Sequence, residues 1–351
     1  MARLRILHAI FSSRIAGSER YCTDLANRQA AAGHEVHVAG IRSSPLADAL
    51  APTVRFHAFS PFLRGWRFRR LLARINFDIC HGHLSAACKA LGRVSTAQQT
   101  VATLHVGYKP HQHARLGGLI CVNRTQATRL PGYHGLASTI PNWIPAMPPD
   151  PAGPGLRREL GLATDVFVVG AIGRLHPSKG MDILVTAFLA AAPTRAALVI
   201  LGEGPERARL ESLRADDPRI HFLGYRAAVD HCLRDFDLFV SPSREETFGL
   251  AIVEAMSAGI PIIATAAEGP GEFLSDQPVE LVPPGSVAAL AAALGAAHGQ
   301  FLVGHLPRRA YDLSLFDPAA RVANIIDFYH EVITARQWGR VGREQPAAVA
   351  P

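Results

Sequence analysis

The sequence has no apolar run approaching the roughly 18 residues that a membrane-spanning helix needs. Its opening, MARLRILHAI, leads directly into a polar turn at Ser12-Ser13, so no secretory signal is expected and the chain is expected to stay in the cytoplasm. Cysteine is sparse. The five residues at 22, 80, 88, 121 and 232 show neither metal-ligand spacing nor a paired framework, which fits reduced thiols acting as small buried hydrophobes. There is no internal repeat, no G-x-G-x-x-G dinucleotide fingerprint, and no helix-turn-helix, zinc-finger or RNA-recognition signature.

What is present is enough for two ordinary domains, since 351 residues at 48% hydrophobic composition can fill two cores. The proline- and glycine-rich stretch PAMPPDPAGPG, residues 145–155, follows Pro141-Asn142-Trp143 and separates two patterned regions, so it reads as a linker. The expected organisation is a first domain over 1–144, a second over 156–314, a terminal helix over 315–335 and a disordered tail over 336–351. Charge is divided unevenly. Residues 1–150 hold eighteen Lys and Arg against six Asp and Glu, whereas the whole chain carries a net +7, so the first half is strongly basic and the remainder acidic. That asymmetry suits a partner that is anionic on one side only, such as a phospholipid surface or a phosphorylated acceptor. Nucleic acid is the rival partner, but none of its recognition signatures accompanies the charge.

Both halves alternate strand-like and helix-like segments. Leu4–Ile10, Glu35–Ala39, Val54–Phe59, Phe77–Cys80, Val101–Val106 and Leu119–Asn123 read as strands of the first half; Phe167–Ile172, Leu198–Leu201, Ile220–Tyr225, Phe236–Val240, Ile260–Ala264 and Val279–Val282 as strands of the second. Such alternation implies parallel, doubly wound sheets, in which ligands collect beyond the carboxyl ends of the strands. Glu268–Glu272 reads as a turn, and Ser286–Ala297 as a helix. Gly17 lies in the turn after the first strand, where it allows close approach to a helix N-terminus, although a plain turn accounts for it equally well.

The chemistry concentrates in SPSREETFGLAIVEAMSAG, residues 241–259. It should leave a buried strand, turn, and enter a helix that ends at Gly259. Glu246 falls in the turn and Glu254 about two turns along, roughly 12 Å away if all eight steps are helical. The backbone N–H groups of Thr247, Phe248, Gly249 and Leu250 would be donors for a phosphate, and Gly249 has no side chain to keep it away. Carboxylates repel phosphate and accept from hydroxyls, so the two glutamates read as acceptors for sugar and ribose O–H groups. A strand-turn-helix unit with a surface glutamate at each end is the ordinary alternative.

This spacing of Glu246 and Glu254, with Phe248-Gly249-Leu250 between them and Ala255-Met256-Ser257-Ala258-Gly259 behind, resembles the paired-glutamate motif of retaining glycosyltransferases of the GT-B fold, family 4 (glycosyl transferases group 1). The resemblance implies two Rossmann-like α/β domains facing across a cleft, with the C-terminal helix crossing back to the first. It implies that Glu246 meets the donor sugar and Glu254 the ribose of a nucleoside diphosphate sugar. It gives Arg174 and Lys179, in GRLHPSKG, the donor diphosphate, and the loop at Gly224-Tyr225 the nucleobase. It places His105 beside the donor sugar and Gly17 near the donor, though Ala16 stands where the family often has a first glycine. Asn142 matches a family position near the cleft and fits a turn residue equally well.

Asp235-Phe236-Asp237 has the spacing of a metal-binding Asp-x-Asp motif of a different glycosyltransferase fold, but it precedes a buried strand and is assigned no metal. The implied activity needs neither metal nor cofactor. The implied acceptor is a hydroxyl of a glycan or lipid-linked molecule, and arginine and alanine abundance beside scarce lysine, which suggests a GC-rich bacterial genome, points to envelope polysaccharide or lipopolysaccharide. Residues 62–75 interleave arginine with bulky apolar side chains. If helical after Gly65, they offer a basic face with Trp66 at its rim, suited to an anionic membrane, or an ordinary solvated face. An epimerase or phosphorylase of the same fold, or a noncatalytic nucleotide-sugar binder, stands as the alternative.

Overall fold

The computed structural model describes residues 2–13, 16–60, 64–93, 99–144, 155–226 and 229–341, with side chains at 230 and 336–341 excepted. The chain divides into two compact units, residues 1–145 with 316–351, and residues 146–315.

In the first unit, β1 (Arg5–Ile10), β2 (Glu35–Ile41), β3 (Arg55–Phe59), β4 (Ile79–His83), β5 (Gln99–Leu104), β6 (Gly118–Cys121) and β7 (Leu136–Thr139) form one parallel sheet in the order β3-β2-β1-β4-β5-β6-β7. Alternate residues point to opposite faces. Leu7, Ala9, Cys80, Ala102 and Leu104 therefore face one way, where α2 (Arg64–Arg74) and α3 (Leu84–Gly92) cover them with Phe68, Leu72, Ala87 and Leu91, after α1 (Gly17–Ala31) has already packed on the other side. On that other side Ile6, Ile79, Val101 and Ile120 meet Tyr21 and Leu25 of α1 and Val322, Ile325, Phe328 and Tyr329 of the last helix. β7 was not foreseen, because its four residues LAST are largely exposed and carry no apolar run.

In the second unit, β8 (Phe167–Ile172), β9 (Ala196–Leu201), β10 (Ile220–Phe222), β11 (Leu238–Ser241), β12 (Ile262–Thr265) and β13 (Glu280–Val282) form a parallel sheet in the order β10-β9-β8-β11-β12-β13. Helix α4 (Met181–Ala191) follows β8, and α5 (Leu250–Ser257), α6 (Glu268–Leu274) and α7 (Val287–Leu302) complete the layers used below. Leu184, Phe188, Leu290 and Leu294 of α4 and α7 pack over Val169, Leu198 and Ile200. The segment at 268–272 is thus the start of a helix and not a turn. Its proline, Pro270, stands in the first helical turn, where the missing N–H has no intrahelical partner to lose.

The last helix, α8, runs Pro318–Val341, so it starts three residues later than expected and includes 336–341, which were expected to be disordered. The remainder of that expected tail, 342–351, and the expected linker up to 154 lie outside the described residues.

Candidate active site

The carboxyl ends of β8 and β11, neighbours at the centre of the second sheet, carry the two loops in which the sequence motifs lie. The loop after β8 is short and tightly held to its neighbour. The Ser178 carbonyl accepts from the backbone N–H groups of Arg244 at 2.8 Å and Glu245 at 3.0 Å. Arg244 in turn donates to the Pro177 carbonyl at 2.9 Å and to both carboxylate oxygens of Asp182 at 2.7 and 2.9 Å, and its guanidinium holds the Asp182 carboxyl below its ordinary range. Gly180 closes the turn with φ of +63°, and a Cβ there would lie 2.1 Å from the Pro242 carbonyl oxygen, so neither the backbone nor the space accepts a side chain.

This stitching brings Lys179 and Glu246 together. Their side chains form an ion pair between Nζ and Oε2, partly shielded from solvent. The Glu246 carbonyl also accepts from the N–H of Gly269 at 2.9 Å, at the start of α6, so the residue is held from two neighbouring segments. Arg174, on the same loop as Lys179, is exposed, and no ion pair engages it among the described residues. Arg174 and Lys179 are thus two cations on one loop.

Glu254 is buried within α5. The helix begins at Leu250, so Thr247 and Phe248 belong to the preceding turn and their N–H groups are not donors of a first helical turn, as the sequence had suggested. The eight-residue helical spacing from Glu246 to Glu254 falls for the same reason. Gly249 is the N-cap with φ of +90°; its carbonyl accepts from Ile252 at 2.9 Å, and left-handed backbone is reason enough for glycine. Phe248 is buried against Phe273 at a centroid distance of 5.5 Å. Tyr225, in the loop after β10, is 54% exposed.

Asp235 and Asp237 have structural partners. Asp235 accepts from the Arg157 backbone N–H at 2.9 Å, while Asp237 accepts from the Arg157 guanidinium at 2.6 Å and the Val168 N–H at 2.7 Å. They tie the entry of the second unit to the start of β8, and burial raises the Asp237 carboxyl.

His105 and Gly17 belong to the first unit. Gly17 opens α1, whose first turn is closed by the buried Glu19 accepting from the Ala16 N–H at 3.1 Å. His105 follows β5 directly, its ring 5.1 Å from that of Tyr21 in an edge-on contact, and its Nε2 lies 3.2 Å from Nδ1 of His83. Burial pushes the His105 imidazole down to about 4, so it is neutral at pH 7. Asn142 is buried beside Trp143, which donates to Asp24 at 2.5 Å, and the Asn142 Oδ1 has no hydrogen-bond partner among the described residues. The sequence did not single out His8, His81 or His83, which with His105 line one face of the first sheet. Their only signal was the alternation of His81 and His83 along β4.

Helix α2 has the amphipathic form anticipated: Phe68 and Leu72 are buried, while Trp66, Arg67, Arg69 and Arg70 are exposed and Arg70 stacks on Trp66 at 5.3 Å. Between α2 and α3 a groove of about 770 Å³ is lined by Arg64, Trp66, Arg69, Lys89 and Arg93 over Ala86 and Ala90. Phe62 and Leu63 lie outside the described residues. No helix among the described residues is long and apolar enough to cross a membrane. All five cysteines are buried.

Comparison with known proteins places this geometry. Residues 15–146 match the model of Glycosyltransferase Family 4, and residues 166–298 that of Glycosyl transferases group 1. The lipopolysaccharide core biosynthesis glycosyltransferase LpsD of Rhizobium meliloti (strain 1021) is 27% identical over 316 residues, 83% of this chain and 87% of that protein. A GDP-mannose-dependent alpha-mannosyltransferase of Mycobacterium tuberculosis (strain CDC 1551 / Oshkosh) is 36% identical over 119 residues, 33% of this chain and 30% of that protein. Among solved structures, Anabaena Alr3699/HepE in complex with UDP and glucose superposes with a TM-score of 0.76 at 21% identity, covering 94% of this chain and all of that one. With a family match in each half and two parallel-sheet units, the chain belongs to the family 4, group 1 glycosyltransferases and has their GT-B fold.

Proposed function

We propose that the chain is a retaining, metal-independent hexosyltransferase that moves a sugar from a nucleoside diphosphate sugar to a hydroxyl of a glycan or lipid-linked acceptor. The observation that carries this reading is the Lys179–Glu246 pair, a cation for phosphate and a carboxylate for hydroxyls held side by side at the carboxyl ends of β8 and β11. The relatives support the pathway, since LpsD is named for lipopolysaccharide core biosynthesis and HepE was solved with UDP and glucose. In this reading Arg174 and Lys179 offset the charge of the departing diphosphate, with Phe248, Gly249 and Leu250 lining its approach. Fixed charges of this kind are worth several kcal/mol of barrier. Glu246 and His105 orient the donor sugar, Glu254 takes the ribose, Tyr225 lies by the base and Gly17 borders the donor. Neither Glu246 nor His105 is a covalent nucleophile: the C1–phosphate bond breaks, the acceptor oxygen bonds C1 on the same face, and the leaving phosphate oxygen takes the acceptor proton.

The basic, Trp-rimmed face of α2 and the groove beside it suit an anionic membrane from which a lipid-linked acceptor is met. The enzyme would then act in the cytoplasm, peripherally at the inner face of the plasma membrane. The test is a panel of nucleotide sugars, scoring which one stabilises the protein and which is slowly hydrolysed, with and without chelator. Transfer with retained anomeric configuration and no chelator effect supports the reading. Isomerised donor, or reaction with phosphate alone, replaces it with an epimerase or phosphorylase; binding without turnover, with a noncatalytic binder.

A further inference from the structure

Parallel pairing aligns His8 with His81, and His83 with Thr103, so period-two alternation puts His8, His81, His83 and Thr103 on one face of the first sheet, and His105, just beyond β5, meets His83 on that face. His8, His81 and His83 are fully buried there. They are joined nitrogen to nitrogen. His8 Nδ1 lies 3.1 Å from His83 Nε2, and His83 Nδ1 lies 3.2 Å from His105 Nε2. At the other end His8 Nε2 is 2.7 Å from the Gln29 Oε1 of α1, and Gln29 Nε2 donates to the Tyr329 hydroxyl of α8 at 3.5 Å. That hydroxyl is 2.6 Å from His81 Nδ1, whose ring reaches Thr103 Oγ1 at 2.8 Å through Nε2.

Ring nitrogens of His8, His81 and His83 all come within 4.8 Å of one another, close enough to suggest a metal site. Yet all six ring nitrogens of the three already have hydrogen-bond partners, so a metal would have to break the network. Burial holds the rings neutral, with His8 down to about 4 and His81 and His83 well below the ordinary range.

A neutral imidazole donates at one nitrogen and accepts at the other, so the tautomers along this chain are not independent. With the Gln29 amide donating to Tyr329, its oxygen accepts from His8 Nε2–H. His8 Nδ1 then accepts from His83 Nε2–H, and His83 Nδ1 from His105 Nε2–H. Nδ1 of His105 is left as the acceptor of that ring. Turning the amide over would reverse every bond and make His105 Nδ1 a donor. We propose that Gln29 and Tyr329, acting through His8 and His83, are positioning residues that fix the His105 tautomer and hold its Nδ1 as an acceptor for a hydroxyl of the donor sugar. This rests on the reading above that His105 meets that sugar. An acceptor nitrogen selects for a hydroxyl over a fully ionised phosphate oxygen, which offers no proton.

The test uses the full chain with ¹⁵N-labelled histidine and long-range ¹H–¹⁵N spectra at pH 7.5 or so, where the rings are neutral. His8, His83 and His105 should each show the Nε2–H tautomer. Gln29→Leu should mix or reverse all three and lower turnover at saturating donor about 3- to 10-fold with the donor KM within about twofold; Gln29→Glu, which keeps an acceptor in place, should restore the wild-type tautomers. If Gln29→Leu does not fold, Tyr329→Phe frees the same amide and is read in the same way. Opposite tautomers at His83 and His105 in the wild type, or unchanged spectra in a folded Gln29→Leu protein, would overturn the coupling. Altered tautomers with unaltered turnover would overturn the positioning role. Absence of turnover with any nucleotide sugar in the wild type would instead strike the proposed function, and leaves the spectra to decide the coupling.

Discussion

Glu246→Gln separates the two roles proposed for the Lys179–Glu246 pair. The side chains keep 24% and 15% of their surface, so the pair is neither a solvated surface bridge nor a dry one, and a coupling of about 1–2 kcal/mol is the appropriate scale. A diphosphate that uses Lys179 has to draw the ammonium away from that carboxylate. Glutamine keeps the shape and one hydrogen-bond acceptor but removes the competing charge, so affinity for a bare nucleoside diphosphate should stay level or rise, by up to roughly 5- to 30-fold if the whole coupling is released. Turnover should move the other way. A charged hydrogen bond to a sugar hydroxyl is worth about 1.5–3 kcal/mol, which puts the loss with the intact donor at roughly 10- to 150-fold. Titration calorimetry with the nucleotide and a steady-state transfer assay, run on the same preparation, measure the two effects. A tenfold loss of nucleotide affinity would refute the reasoning, because it would mean that Glu246 itself holds the nucleotide and that Lys179 is occupied elsewhere.

Other outcomes follow from the same geometry. Glu254→Gln should weaken bare nucleotide by roughly 10- to 150-fold, the loss expected of a charged hydrogen bond to ribose; calorimetry with wild-type affinity would remove that role. Gly180→Ala meets both a φ of +63° and the Pro242 carbonyl at 2.1 Å, so it should lower the denaturation midpoint, by about 2–4 kcal/mol in stability, and reduce turnover by displacing Lys179. Stability should fall with acid: His8 titrates near 6.5 when unfolded but near 4 when folded, so its contribution is intact above pH 6.5 and is lost as pH drops towards 4, by about 1.4 kcal/mol per pH unit. Urea midpoints that stay flat between pH 7 and pH 5 would contradict the buried neutral histidines.

Strands whose interiors are continuous apolar runs, such as Phe167–Ile172 and Leu198–Leu201, were legible because a parallel sheet is buried on both faces. β7 was not, since its exposed residues carry no such run. The start of α6 was hidden by Gly269, Pro270 and Gly271, which signal a turn in sequence but are tolerated at a helix entrance. At the site, Lys179 and Glu246 were each legible from their loops. Their pairing was not, because it depends on β8 lying beside β11 and on Ser178 accepting from Arg244 and Glu245. The histidine chain was further from view. It needs the register that sets His8 opposite His81, and a helix tyrosine 248 residues beyond His81 in sequence.

The two units thus offer different electrostatics. The second unit presents formal charge, with Lys179 and Arg174 on one loop and Glu246 on the next, and charge is what a diphosphate and its departure require. The first unit presents neutral imidazoles, because desolvation keeps His8, His83 and His105 unprotonated at pH 7. A protonated His105 would attract phosphate; a neutral one distinguishes hydroxyls by hydrogen-bond direction alone. Burial of the chain behind His105 therefore has a consequence at the His105 end. It supplies no charge, and it leaves the direction of one hydrogen bond to be set by an amide and a phenol across the sheet face. A change at Gln29 or Tyr329 should consequently alter which sugar hydroxyl stereochemistry is accepted while leaving the affinity for the nucleotide part of the donor intact.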